Sequence, residues 1–159
     1  MIVKRIDDNQ FEECISVIRN SFITVANEFN LTKENAPTNP AFADMHTLIK
    51  MNEKGIEMYG AYEGEICIGF VAVERANEDN FYMEKLAVLP EYRHKGIGKK
   101  LIDFASACVK RNGGKKVSIG IINENKRLKD WYIKYGFVET EVKVFKHLPF
   151  IVCFMEKEV

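Results

Sequence analysis

Apolar positions recur along this chain with two periods, and the switches between them mark its elements. Ile2, Lys4 and Ile6 alternate with Val3 and Arg5, which predicts a short first strand. Asp7 or Asp8 then caps a helix carrying Phe11, Cys14, Ile15, Ile18 and Phe22 at helical spacing. Asn27 to Ala41 is polar, holds Pro37 and Pro40, and reads as a long loop, a candidate substrate-side segment. A second helix is predicted from Phe42 to Glu53, stopping at Gly55. Two β-rich runs, Glu57 to Tyr62 and Ile66 to Glu74, flank Glu63-Gly64-Glu65 and read as a hairpin. A third run, Phe81 to Leu89, ends at Pro90. From Ile97 the period lengthens again through Leu101, Ile102, Ala105, Cys108 and Val109, until Asn112-Gly113-Gly114 stops the helix. A strand from Lys116 to Ile122, a helix from Asn125 to Tyr135, and strands from Phe137 to Phe145 and Phe150 to Glu156 complete the order. The result is β-α-α-β-β-β-α-β-α-β-β, an α+β chain read as one domain over residues 1–159.

Composition narrows the function classes. Apolar residues make up 47% of the 159, enough for a core, and 23 basic against 23 acidic side chains leave no net charge. That balance argues against disorder and against a uniformly basic nucleic-acid-binding surface. The longest apolar run, Ile66 to Val73, is far short of the ~20 residues of a membrane span. No signal peptide is read at the amino terminus, so a cytoplasmic location without membrane association is expected. Cys14, Cys67, Cys108 and Cys153 lie far apart in sequence with no C-x-x-C or histidine at ligand spacing, so neither disulfide nor metal is predicted.

The chemistry concentrates where the third run of the sheet meets the long amphipathic helix. Arg93-x-x-Gly96-x-Gly98 opens that helix directly after a Pro-led loop. Its glycines permit a tight turn and remove Cβ atoms that would block an anion. The N–H groups from His94 to Lys99 point outward at a helix start, where free amides and the helix dipole favour a pyrophosphate. Eight Lys/Arg against two Asp/Glu lie between Glu91 and Lys116, so this segment is locally basic. Between Lys95 and Lys116 only Phe104 interleaves with the charges, and at core spacing, which argues against a nucleic-acid partner. No Gly-Lys-Ser/Thr follows, and Leu101 stands where a dinucleotide fingerprint has its third glycine.

This spacing resembles the acetyl-coenzyme A motif of the GNAT N-acetyltransferase superfamily. The stretch Asn125 to Phe137 is similar to that family's later pattern of an Asn, a Tyr seven residues on, and then Gly-Phe. The element order matches along essentially the whole chain, apart from Leu128 where the family often has Ala. The resemblance implies a central, mixed, mostly antiparallel twisted sheet of about seven strands, splayed between the fourth and fifth and flanked by about four helices. It implies acetyl-CoA as co-substrate and no metal. The backbone of Leu86, Ala87 and Val88 would hold the pantetheine arm like an added strand, and Arg93, His94, Lys95, Gly96, Ile97, Gly98 and Lys99 would hold the pyrophosphate. Asn125 would reach the arm from the other side, while Gly136-Phe137 would be structural.

The implied reaction is direct acetyl transfer in a ternary complex to a primary amine, preferably of a small molecule. Glu84 is the candidate base: regular alternation would place it on one face with Tyr82, Leu86 and Val88, where cofactor and amine meet. Its alternative is an exposed strand Glu paired with a Lys. Tyr132 is the candidate acid, since its motif position is the family's tyrosine near the sulfur; packing is its alternative. The Val88 N–H is the candidate oxyanion donor, and His147, in the last hairpin, is read as a loop residue. The competing reading is a non-catalytic acyl-CoA-binding sensor domain. A homodimer through the terminal strands is a family-level expectation.

Overall fold

A computed structural model describes residues 1–159. The strands are β1 (Ile2–Arg5), β2 (Glu57–Glu63), β3 (Ile66–Arg75), β4 (Asn80–Val88), β5 (Lys116–Ile122), β6 (Val138–Val144) and β7 (Ile151–Glu158). The helices are α1 (Phe11–Glu28), α2 (Met45–Glu53), α3 (Ile97–Arg111) and α4 (Lys126–Lys134). The strands form one sheet in the order β1-β2-β3-β4-β5-β7-β6, antiparallel throughout except between β4 and β5. This is the expected α+β architecture.

Local chemistry accounts for the helix starts. Asp7 caps a 3-10 turn (Asp8–Gln10) with reciprocal bonds to Gln10, and α1 follows directly. Asp44 and Thr47 make the same reciprocal box at α2, so that helix begins at Met45; Phe42 belongs to a separate 3-10 turn (Pro40–Phe42). The predicted Asn27–Ala41 loop is shorter than expected because α1 runs on to Glu28. Leu31, Ala36 and Ala41 within it are buried in a small cluster with Ala26 and Ile122.

Two larger clusters cover the two faces of the sheet. One joins α1 and α2 to β2 and β3 through Phe11, Ile18, Leu48, Met51 and Phe70. The other joins α3 and α4 to the opposite face through Leu101, Ile102, Val109, Tyr132 and Phe137. The four cysteines are all buried free thiols. Cys14 and Cys67, 53 residues apart in sequence, sit side by side with sulfurs 3.9 Å apart.

β4 and β5 pair only at Asn80↔Lys116, Phe81↔Val117 and Tyr82↔Ser118. Beyond those residues the strands diverge, each still paired on its outer side to β3 or β7. The splay leaves a gap in the middle of the sheet, at the carboxyl ends of its two parallel strands. Crevices of that kind are where open sheets with parallel strands bind ligands.

Candidate functional site: an anion cradle beside a split sheet

The gap opens towards the start of α3. A 3-10 turn (Pro90–Tyr92) leads out of β4, and its amides bond back to Leu89 and Pro90. From His94 through Lys99, no backbone N–H has a protein partner. His94 (φ 63°) and Gly96 (φ 80°) adopt left-handed conformations that turn these amides to one side, and Gly96 supplies no side-chain cap to α3. Nothing lies within 4 Å of where a Gly96 side chain would begin, so that glycine keeps the cradle open. The arrangement fits a pyrophosphate: consecutive unpaired donors at the positive end of a 15-residue helix.

Gly98 also has a packing role beside the expected one. A Cβ there would come within 2.9 Å of the Trp131 indole, so Gly98 makes room for α4 to pack on the first turn of α3. Trp131 in turn stands edge-on to Tyr132 and Tyr135.

Arg93 departs from expectation. Its guanidinium turns back to α1 instead of into the cradle, donating to Ser21 O (2.7 Å), Ser21 Oγ (3.3 Å) and Thr24 Oγ1 (3.1 Å). Its Nε donates to Val88 O at 3.3 Å. The side-chain charge near the cradle therefore comes from Lys95 and Lys99. Lys95 lies 5.3 Å from the Tyr92 ring centre, and Lys99 pairs with Asp103.

The free edge of β4 is arranged by a bulge. Register with β3 runs Phe70↔Ala87, then Ala72↔Glu84, so Lys85 and Leu86 together oppose Val71, with Lys85 at φ 52°. The extra residue breaks the alternation assumed from sequence. Phe81, Met83, Leu86 and Val88 face α3, whereas Tyr82, Glu84 and Ala87 face α1 and α2. The expectation that Tyr82, Glu84, Leu86 and Val88 share one face is therefore corrected. Leu89 bonds to β3, so Leu86 and Val88 turn their peptide groups to the gap. The Val88 N–H, the expected oxyanion donor, already donates to Ser21 Oγ at 3.3 Å. Leu86 is left as the open pairing position.

Glu84 is half-buried, and its carboxyl is pushed up to about 7, first by burial and then by the Glu74 carboxylate; Lys85 and Lys54 pull the other way. Tyr132, on the α3 side, is buried against Trp131 and Phe137, and burial raises its phenol. The structure sets these two groups on opposite faces of the sheet. Asn125 is 4% exposed and caps α4 by accepting from the Leu128 N–H at 3.2 Å, while its amide nitrogen makes no hydrogen bond within the chain. Gly136 turns at φ 95° and Phe137 is buried, as expected of structural residues. His147 contacts only the Phe145 ring among the aromatics.

Ser21, Glu74 and the Gly98–Trp131 contact were not foreseen. Ser21 had a signal, a hydroxyl one helical step from Ile18 on the buried face of α1. Glu74 and Trp131 depend on strand register and helix docking. Elsewhere, no cluster of three or more His, Cys, Asp or Glu side chains could hold a metal ion, and no helix is long and apolar enough to cross a membrane.

Residues 54–139 match the family model described as an acetyltransferase (GNAT) domain. An uncharacterized N-acetyltransferase of Schizosaccharomyces pombe is 29% identical over 84 residues, covering 51% of this chain and 58% of that protein. Thialysine N-epsilon-acetyltransferase of Bos taurus is 35% identical over 57 residues, covering 36% of this chain and 34% of that protein. The chain thus spans a little over half of the first relative and about a third of the second. Among solved structures, PaiA N-acetyltransferase from Thermoplasma acidophilum, in complex with coenzyme A, superposes over 100% of both chains with a TM-score of 0.80 at 22% identity. With the family model spanning the splayed strands, the cradle and α4, this chain belongs to the GNAT acetyltransferase family.

Proposed function

We propose that residues 1–159 form one acetyl-CoA-dependent N-acetyltransferase unit that acetylates a primary amine of a small molecule by direct attack in a ternary complex. The observation that carries this reading is the unpartnered row of amides from His94 to Lys99, set at the mouth of a gap between two parallel strands. When bound, acetyl-CoA supplies an acetyl group activated as a thioester. The amides of His94, Lys95, Gly96, Ile97, Gly98 and Lys99 hold its pyrophosphate, with the lysine side chains adding charge. Leu86 offers its backbone to the pantetheine arm, flanked by Ala87 and Val88, and the Asn125 amide donates from the other side. Arg93 serves as a strut that fixes this loop against α1.

Glu84 takes the proton from the attacking amine, directly or through a water. A carboxyl titrating near neutrality is well matched to that transfer. Tyr132 gives a proton to the departing sulfur from its hydroxyl, and its burial keeps the phenol protonated at neutral pH. No acyl-enzyme is needed, and all four cysteines are buried in the core. Alignment of the two substrates across the gap is worth roughly 7–11 kcal/mol in such transfers.

Titration calorimetry with acetyl-CoA and with free CoA tests the cofactor site, and thiol release across a panel of small amines and peptides tests the reaction. Micromolar binding with release from a small amine is the expected result. Folded protein that binds neither cofactor form overturns the reading. Binding without release from any amine identifies the sensor alternative.

A further inference from the structure

We infer that Ser21 is a binding residue for acetyl-CoA, its hydroxyl donating a hydrogen bond to a carbonyl oxygen of the cofactor's arm; this rests on the function proposed above. Ser21 lies on α1, outside the cradle and outside residues 54–139 matched by the family model. Ser21 is 7% exposed as a whole residue, and it and Asn125 are the two buried polar residues of the chain. Two donors point at the same oxygen: the Val88 N–H and the Arg93 Nη2, each at 3.3 Å. A hydroxyl oxygen that accepts twice still carries its own proton. That proton has no acceptor in the chain: Ser21 Oγ donates to no carbonyl of α1, and the nearby Thr24 hydroxyl donates to Ser21 O instead.

The position of this proton sets its target. Val88 turns its peptide to the gap, so a group bonded to the Val88 N–H stands at the gap's edge on the α1 side. An arm laid along β4 at Leu86 passes that edge. The arm's polar groups there are amides and, when acylated, a thioester, and the atom of each that accepts a proton is a carbonyl oxygen. The two incoming donors, one a guanidinium, polarise the Ser21 hydroxyl and make it a stronger donor. The Val88 N–H thereby acts on the cofactor through Ser21.

The test measures affinity of wild type, Ser21→Ala and Thr24→Val for acetyl-CoA and CoA by calorimetry, with thermal unfolding of each protein alone. Thr24→Val removes a bond of Arg93 to α1 but keeps the Ser21 hydroxyl, so it reports a strut without a ligand contact. Ser21→Ala is expected to weaken binding about five- to tenfold, a typical hydrogen-bond loss, with Thr24→Val within twofold of wild type. Equal weakening for both cofactor forms places the bond on a pantetheine amide carbonyl. Weakening confined to acetyl-CoA places it on the thioester carbonyl, with a matching fall in kcat. Unchanged or tighter binding in Ser21→Ala, or equal weakening in Thr24→Val, overturns the inference. Wild-type protein that binds no cofactor instead overturns the proposed function on which it rests.

Discussion

Glu84 shows how the surroundings of one residue set its titration. Burial and the Glu74 carboxylate favour the neutral acid, while the two lysines are too weak to restore the ordinary value of 4.5. A carboxyl whose pKa is higher folded than unfolded binds more protons in the native state between those values. Stability therefore falls as pH rises from about 4.5 to about 7 and is then level. Glu84→Gln should accordingly be more stable than wild type above pH 7, by ~1–2 kcal/mol in denaturant unfolding after allowing for solvent screening, with no gain below pH 4. The same variant should lose about 100-fold in kcat and the limb of the pH–rate profile near 7, with acetyl-CoA affinity kept. A profile unchanged from pH 5 to 9 would remove Glu84 from the mechanism. Gly96 answers to backbone geometry instead. At φ 80° a Val costs ~1–2 kcal/mol, and its side chain projects into open space at the cradle. Gly96→Val should weaken coenzyme A binding more than about tenfold, measured by calorimetry; normal affinity would misplace the cradle.

At the scale of elements, the contact of α3 with α4 holds the two sides of the gap in register. Gly98 on one helix and Trp131 on the other meet so closely that a methyl would displace the indole. Gly98→Ala should destabilise the fold by ~1–3 kcal/mol, the usual cost of overpacking, and weaken cofactor binding as well. Trp131→Phe shortens the ring, so the double variant should lose less than the sum of the two single changes in denaturant unfolding. Strict additivity would mean the two side chains do not press on each other. The β4 bulge works at the same scale. One extra residue at Lys85 sends Glu84 to the α1–α2 face and leaves Leu86 on the α3 side.

For the whole molecule, a chain of zero net charge places its excess of basic residues between Glu91 and Lys116, around the helix that begins at the cradle. Attraction of a polyanionic cofactor should then weaken with ionic strength. Raising salt from about 50 mM to about 500 mM shortens the screening length about threefold and should cost several-fold in acetyl-CoA affinity. A salt-independent affinity would assign binding to the amides alone. Residues 54–139, which match the family model, hold the gap, the cradle and α4, whereas α1, the α1–α2 loop and β7 lie outside them. The panel of amines is therefore the measurement that names the acceptor.

The sequence by itself determined the order of strands and helices, the helix stops, the glycine turn at Gly136 and the cradle after β4. Each depends on residues a few positions apart: periodicity of apolar side chains, carboxylates at helix starts, glycines where φ is positive. Tertiary structure alone decided what those residues meet. The bulge at Lys85 reversed the faces of β4, since a single inserted residue shifts a period of two. Arg93, 72 residues from Ser21 in the chain, found its partners on α1, and Gly98 found Trp131. Contacts of that separation follow from how layers dock around a shared core, which no local pattern encodes.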